Sequence, residues 1–127
     1  MKDFTLYPEA LELKQLGFDE PCFAFYDESL YFPNNENQYG TFCNQKLDAS
    51  SCSAPLKQQA FRWFREKHNL IAYPVWRIDN TWDMNIQKLD SYGLLSGQSA
   101  LAIIKKPTYE EAEQACLDKL IEICKNK

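Results

Sequence analysis

Residues 53–69 read Ser-Ala-Pro-Leu-Lys-Gln-Gln-Ala-Phe-Arg-Trp-Phe-Arg-Glu-Lys-His-Asn, which is the pattern of one amphipathic helix. Pro55 suits the first helical position, where a missing N–H has no partner inside the helix. Asn69 suits the end, because asparagine tolerates left-handed backbone. Burial of the rings of Trp63 and Phe64 would stabilise the fold by several kcal/mol. The predicted apolar stripe consists of Leu56, Ala60, Trp63, Phe64 and the stem of Lys67.

The length and composition of the chain are those of one ordinary globular domain. It has 127 residues, of which 45% are hydrophobic, 25% charged and 14% aromatic. Its formal net charge of −4 argues mildly against a broad surface for nucleic acid or anionic membrane, because both need basic residues. We therefore predict a single domain over residues 1–127.

The sequence lacks the signals of a membrane or secreted protein. No run of eighteen apolar residues is present, and the N-terminal segment has no hydrophobic signal region. The five cysteines are scattered in a way that fits neither a disulfide framework nor a paired C-x-x-C zinc site. We expect a protein of the cytoplasm of the cell that makes it, with no membrane contact and no cofactor.

Before the central helix, the sequence predicts one helix, one hairpin and a long polar loop. Residues 6–17 predict a short helix that ends at Gly17, with Phe18 as the hydrophobic contact that closes the cap. Residues 22–32 have the composition of a short β-hairpin with a turn at 27–29. Residues 33–52 are polar and rich in turn formers, which indicates a surface excursion held by Phe42.

After the central helix, two long strands predict a second hairpin. Residues 81–89 alternate between apolar and polar side chains, and Asp79-Asn80 marks the turn. A two-residue loop would place Tyr73 and Val75 beside Met84 and Ile86. A three-residue loop would place Trp76 and Ile78 there instead, and the sequence leaves the choice open.

The chain ends with a predicted strand at 100–104 and a predicted helix. Thr108 and Glu111 have the spacing of a capping box. The predicted order is α-β-β-α-β-β-β-α, an α+β fold in which helices pack on an antiparallel sheet. From residue 53 onward this layout is similar to a double-stranded-RNA-binding domain. In that family lysines at the start of the last helix grip phosphates, whereas this chain has glutamates there, which argues against RNA binding at that surface. The apolar stripe of the last helix is predicted as Ala112, Cys116, Leu120 and Ile123, with Leu117 and Cys124 at its edges.

No catalytic motif emerges from the sequence. His68 is the only histidine, and its position at a helix C-terminus favours an electrostatic role over catalysis. Cys43 and Cys52 lack the spacing of known zinc fingers. There is no glycine-rich phosphate loop, nucleophile elbow or dinucleotide fingerprint. The best candidates for a partner-binding surface combine arginine and tryptophan, which are enriched at interface hot spots: Lys57, Arg62, Arg65, Trp76 and Arg77.

Three motifs together resemble a family of small uncharacterised proteins from phages and prophages of gut Bacteroidales. They are Leu-Gly-Phe-Asp-Glu-Pro-Cys-Phe at 16–23, Ala-Phe-Arg-Trp-Phe-Arg-Glu-Lys-His at 60–68 and Thr-Tyr-Glu-Glu-Ala-Glu-Gln-Ala-Cys-Leu at 108–117. The resemblance implies an accessory protein of the host cytoplasm and carries no known activity to any residue. We predict a non-enzymatic module that binds another protein. The alternatives are a nucleic-acid-binding domain and an enzyme with dispersed catalytic residues.

Overall fold

The computed structural model describes residues 3–32, 42–89 and 102–126, and it confirms the α+β class and the predicted order of elements. The strands form two antiparallel sheets of three strands each. The chain divides into two compact units, residues 1–59 and 60–127, with the boundary inside the central helix. Whether the two units fold as one domain stays a prediction. None of the helices in the described ranges has the length and apolarity needed to cross a bilayer.

The first unit contains one helix and the first sheet. Its elements are α1 (Tyr7–Gln15), β1 (Phe25–Asp27), β2 (Ser29–Tyr31), a 3-10 turn (Asn44–Lys46) and β3 (Cys52–Ser53). The strand order is β2-β1-β3. The hairpin of β1 and β2 confirms the predicted one, and Glu28 takes a positive φ of 70° at its turn. Strand β3 joins Cys52, the last residue of the predicted loop, to Ser53, the first residue of the stretch predicted as the central helix. The predicted loop residues 33–41 lie outside the described ranges.

The end of α1 confirms the predicted glycine cap. Gly17 has a φ of 101°, and its N–H donates to the Lys14 carbonyl at 3.1 Å. The N–H of Phe18 donates to the Leu13 carbonyl at 2.9 Å. These two bonds form a Schellman motif, in which the last carbonyls of the helix find partners. The Phe18 side chain is buried next to this cap, as predicted.

The central helix α2 (Lys57–His68) begins two residues later than predicted. Pro55 is not its first residue, because residues 55–57 pair with the N-terminal segment. The Pro55 carbonyl accepts hydrogen bonds from both the N–H and the hydroxyl of Thr5, at 2.9 and 3.1 Å. The N–H of Lys57 donates to the Asp3 carbonyl at 2.8 Å. This pairing over a long sequence separation has no signal in the local sequence.

The apolar stripe of α2 is confirmed at its centre. Ala60, Trp63 and Phe64 are buried, and the two rings meet edge-to-face with centroids 5.1 Å apart. Lys67 is exposed, and Leu56 precedes the helix, so the stripe is shorter than predicted. Asn69 ends the helix in left-handed backbone, with a φ of 56°, as predicted.

The second unit contains the second sheet, with strands β4 (Leu70–Trp76), β5 (Trp82–Lys88) and β6 (Ala102–Lys106) in that order. The turn between β4 and β5 decides between the two-residue and three-residue loops that the sequence left open. Arg77 pairs with Thr81 through a 2.9 Å hydrogen bond, and Asn80 completes the loop with a φ of 63°. The loop therefore has three residues, the form in which a type I turn is followed by a left-handed residue. Trp76 lies on the face of Met84, whereas Ile78 is fully exposed at the loop tip, contrary to its predicted place.

The last helix, α3 (Tyr109–Lys125), packs on β5 and β6. The Thr108 hydroxyl accepts a hydrogen bond from the Glu111 N–H at 3.2 Å, which confirms the predicted N-cap. Met84 and Ile86 are buried on the face of the sheet that α3 covers. The buried apolar residues of α3 are Ala112, Cys116, Leu117, Leu120, Ile121 and Cys124, so that Ile121 takes the place predicted for Ile123.

Candidate partner-binding surface

Three aromatic rings form a row at one end of the second sheet. Trp76 ends β4 and lies opposite Trp82, the first residue of β5, with ring centroids 4.9 Å apart and planes tilted by 58°. Trp82 in turn meets Tyr109 edge-to-face, with centroids 5.2 Å apart. We call Trp76, Trp82 and Tyr109 the aromatic ladder. Its first ring is the most open, because Trp76 is 53% exposed while Trp82 and Tyr109 are half-buried.

The ladder follows from local rules of the chain. The three-residue loop sets the register that puts Trp76 directly across from Trp82. On the other side of β5, Lys106 pairs with Trp82, and only Pro107 and Thr108 separate β6 from α3. Because Thr108 caps the helix, the first helical residue is Tyr109, which brings its ring to Trp82. Ring pairs at these distances stabilise one another by about 0.5–1.5 kcal/mol beyond the area they bury.

Arg77 lies on the other face of the sheet from the ladder. Its Nε is 3.6 Å from Oδ2 of Asp83, and Asp83 alternates with Trp82 along β5. Asp83 is 9% exposed, so this ion pair is shielded on the side of the aspartate. The structure therefore separates Arg77 from Trp76, its neighbour in the predicted surface.

A second ion pair closes the tip of the same hairpin. Asp79 accepts hydrogen bonds from the Thr81 hydroxyl at 2.6 Å and from the Lys105 ammonium at 2.9 Å. The hydrogen bond from Thr81, followed by the one from Lys105, lowers the pKa of Asp79 to about 2. Lys105 is therefore paired with a carboxylate of its own chain.

The structure excludes Lys57 from the predicted surface. Lys57 is the first residue of α2 and is only 6% exposed, because the N-terminal segment pairs with residues 55–57. Arg62 and Arg65 are exposed as predicted and lie three residues apart on α2, so they share one side of that helix. The five predicted surface residues therefore do not form one surface. Lys57 is buried, Arg62 and Arg65 lie on α2, Trp76 is the open end of the ladder, and Arg77 is paired with Asp83.

Two of the thiols and the single histidine lie in apolar surroundings. Burial raises the pKa of the Cys22 and Cys116 thiols to about 12, which keeps both protonated and unreactive at neutral pH. The ring of His68 packs against those of Trp63 and Phe64, with centroids 4.8 and 5.9 Å away. Within residues 3–32, 42–89 and 102–126, no three His, Cys, Asp or Glu side chains come together as metal ligands would.

The sequence indicated one member of the ladder and missed the other two. Trp82 alternates with Met84 and Ile86, so it was predicted as part of a core face. Tyr109 lies just inside the capping box and was treated as an ordinary helical residue. A signal was available, because the three-residue loop alternative already placed Trp76 on the face of Met84.

Comparisons with protein-family models, with curated proteins and with solved structures find no match to this chain. The resemblance to a phage protein family and the similarity in layout to a double-stranded-RNA-binding domain stay predictions.

Proposed function

We propose that this protein is a non-enzymatic binding module that docks a partner protein on the aromatic ladder. The observation that carries the proposal is the exposed ring of Trp76, held on Trp82. About half of an aromatic ring is on the order of 100 Å², and its burial contributes about 2–3 kcal/mol at roughly 25 cal/mol per Å². This is the size of effect expected of a hot spot, and tryptophan is enriched at hot spots.

The three rings of the ladder are also pre-organised for binding. Trp76 is held by Trp82, which is held by Tyr109, and each ring is attached to a paired strand or a capped helix. Few side-chain rotations remain to be frozen when a partner arrives, and the entropic cost of association is correspondingly low.

The charges of the second unit favour a protein partner over nucleic acid. Arg77 is paired with Asp83, and Lys105 is paired with Asp79. The exposed Glu110 and Glu111 directly follow Tyr109. Binding to a phosphate backbone depends on cations that replace its counterions, and carboxylates next to the ladder oppose it. Of the four cations that the nucleic-acid alternative would use, Lys57 is buried and Arg77 is paired with Asp83, while Arg62 and Arg65 are exposed on α2.

We include in the proposal a role as a phage or prophage accessory protein in the host cytoplasm. This part is supported by the motif resemblance alone, and its test is the identity of the partner. A host protein captured on the ladder would agree with such a role.

The test combines site-specific photo-crosslinking with measured affinities. A photoreactive amino acid at position 76 should form an adduct with one discrete protein in cells, whereas the same amino acid at the fully exposed position 78 should not. With that partner purified, Trp76→Ala should weaken binding by roughly 30- to 150-fold, as expected for about 2–3 kcal/mol. Ile78→Ala should change it by less than about twofold. Equal crosslinking at both positions, or equal affinities of the two variants, would refute the proposal.

A further inference from the structure

We infer that the first hairpin has a second interaction surface, which binds an arginine in a basic segment of a protein partner. This surface consists of the rings of Phe25 and Tyr31 and the carboxylate of Asp27, and we call it the hairpin face. It lies in the first unit and does not depend on the aromatic ladder.

The register of the hairpin places these three side chains on the same side of the sheet. Phe25 and Tyr31 are directly opposite each other on β1 and β2, and Asp27 alternates with Phe25 along β1. Tyr26 and Leu30, the next pair of the ladder of strands, pack against the hydrophobic core of this unit. The hairpin face therefore lies on the side of the sheet away from that core.

The two rings offer an aromatic surface to a cation. They stack with planes inclined by 21° and centroids 5.4 Å apart. Phe25 is half-buried and also contacts Phe42, whereas Tyr31 is 47% exposed. Because Phe25 covers one side of the Tyr31 ring, the exposed area of that ring belongs to its other side and its edges. A cation within about 6 Å of a ring centroid is attracted by the electrons of the ring face.

The carboxylate of Asp27 lies within reach of the same cation. Asp27 and Tyr31 are diagonal neighbours across the hairpin, a relation that places them about 7–8 Å apart. Both Asp27 and the adjacent Glu28 are exposed, and neither carboxylate has an ion pair or hydrogen bond within the described part of the chain. Arginine suits this pair of features best, because its planar guanidinium stacks on aromatic rings and also binds carboxylates with two hydrogen bonds.

The charge of the first unit favours a basic partner. Residues 1–59 contain nine aspartates and glutamates, four lysines and no arginine, so their formal charge is −5, whereas residues 60–127 have a formal charge of +1. Two of the four lysines are turned inward, because the Lys14 ammonium donates to the carbonyls of Asp48 and Ser51 and Lys57 is buried. Such a field attracts basic segments and repels a phosphate backbone.

The experiment titrates the full chain with synthetic peptides and follows NMR signals. The probe is a short glycine-rich peptide with three arginines. One control peptide has lysine in their place, and a second has citrulline, which keeps the shape of arginine without its charge. The arginine peptide should shift the amide signals of Phe25 and Tyr31 and leave the indole signals of Trp76 and Trp82 unchanged. The lysine peptide should bind a few-fold more weakly, and the citrulline peptide at least about tenfold more weakly.

Protein variants separate the aromatic contribution from the apolar one. Tyr31→Leu keeps an apolar side chain but removes the ring, so it should weaken the arginine peptide about three- to tenfold, whereas Tyr31→Trp should preserve the affinity. The matched control is Phe32→Leu, because Phe32 is 45% exposed but its ring contacts Phe4 in the core cluster. Phe32→Leu should leave the affinity unchanged within about twofold.

A second pair of variants separates the local charge from the general one. Asp27→Asn and Asp48→Asn each remove one exposed negative charge from the first unit. Asp27→Asn should weaken the arginine peptide a few-fold at low salt and less at high salt, and Asp48→Asn should have a much smaller effect.

Equal binding of the arginine and citrulline peptides would overturn this inference, and so would equal effects of Asp27→Asn and Asp48→Asn. Binding of N-acetylarginine amide as tightly as the arginine peptide would overturn the assignment to a protein segment. The proposed function is judged by crosslinking at position 76, so a failure at the hairpin face would leave it standing.

Discussion

Replacing the buried Asn44 by alanine should lower the stability of the protein substantially. Asn44 is 9% exposed, and its amide joins two backbone groups that are far apart in the sequence. Its Nδ2 donates to the Phe18 carbonyl at 2.6 Å, and its Oδ1 accepts from the Ser53 N–H at 2.8 Å. One side chain thus connects the loop to the end of α1 and to β3.

The expected loss follows from the groups that Asn44→Ala leaves behind. Phe18 and Ser53 are buried, so their carbonyl and N–H would lose their partners away from water. Each buried backbone group that loses its partner destabilises the fold by about 1–3 kcal/mol. Part of this loss is offset, because the alanine variant no longer has to bury the polar amide of Asn44. We expect the free energy of unfolding to fall by about 3 kcal/mol, which is a large share of the roughly 5–15 kcal/mol typical of a domain.

Urea denaturation followed by far-UV circular dichroism measures this loss, and the adjacent Gln45 supplies the control. Gln45 is exposed, and its only described hydrogen bond uses its backbone N–H, which donates to Asp19. Gln45→Ala should therefore stay within about 0.5 kcal/mol of the wild type. An Asn44→Ala variant as stable as Gln45→Ala would refute the reasoning from orphaned backbone groups.

The same titration tests whether the two compact units fold as one domain. All three tryptophans, Trp63, Trp76 and Trp82, lie in the second unit, whereas Asn44 lies in the first. In a single cooperative domain, tryptophan fluorescence and circular dichroism should shift to the same lower midpoint in Asn44→Ala. A fluorescence transition that stayed at the wild-type midpoint would contradict the single-domain prediction.

Three further predictions concern the cap, the core and the thiols. Gly17→Ala should lower stability by about 1 kcal/mol in thermal unfolding, because alanine is strained at a backbone φ of 101°. The added Cβ would meet no other atom, so no steric clash adds to this penalty. A gain in stability would contradict this prediction. Phe64→Ala should cost about 3–5 kcal/mol, whereas Phe23→Ala, at a half-exposed ring, should cost less than about 1 kcal/mol; similar losses would argue against the core described above. Burial raises the pKa of Cys22 and Cys116 from 9.0 to about 12, so the unfolded chain releases these protons first and stability should fall as pH rises between those values. Replacing both thiols by alanine should make that fall shallower, and an unchanged slope would rule out the thiols as its source.

The parts of the fold that the sequence predicted correctly depend on local chemistry. The cap at Gly17, the N-cap at Thr108, the left-handed end at Asn69 and the alternation along β5 are each decided within a few residues. Local preferences of this kind act whatever the rest of the chain does, and they can be read without coordinates.

The errors arose where distant segments meet. Pro55 is compatible with a helix start, but its carbonyl is occupied by Thr5, fifty residues earlier in the chain. The same pairing buries Lys57, which a helical projection had placed on the surface. To predict the ladder, the position of α3 would also have been required, because Tyr109 reaches Trp82 only where α3 begins beside the end of β6.

The edges of the second sheet bear on how a partner can bind. Among the described strands, β4 and β6 are the outer ones, and an outer strand can accept a further strand through its free backbone groups. In β4, Pro74 removes one N–H from the middle of the strand, and β6 ends in Lys105 and Lys106. Proline and lysine both discourage pairing at an edge. Strand addition is therefore opposed at both edges, which favours the proposed contact at the exposed ring of Trp76, where no backbone pairing is needed.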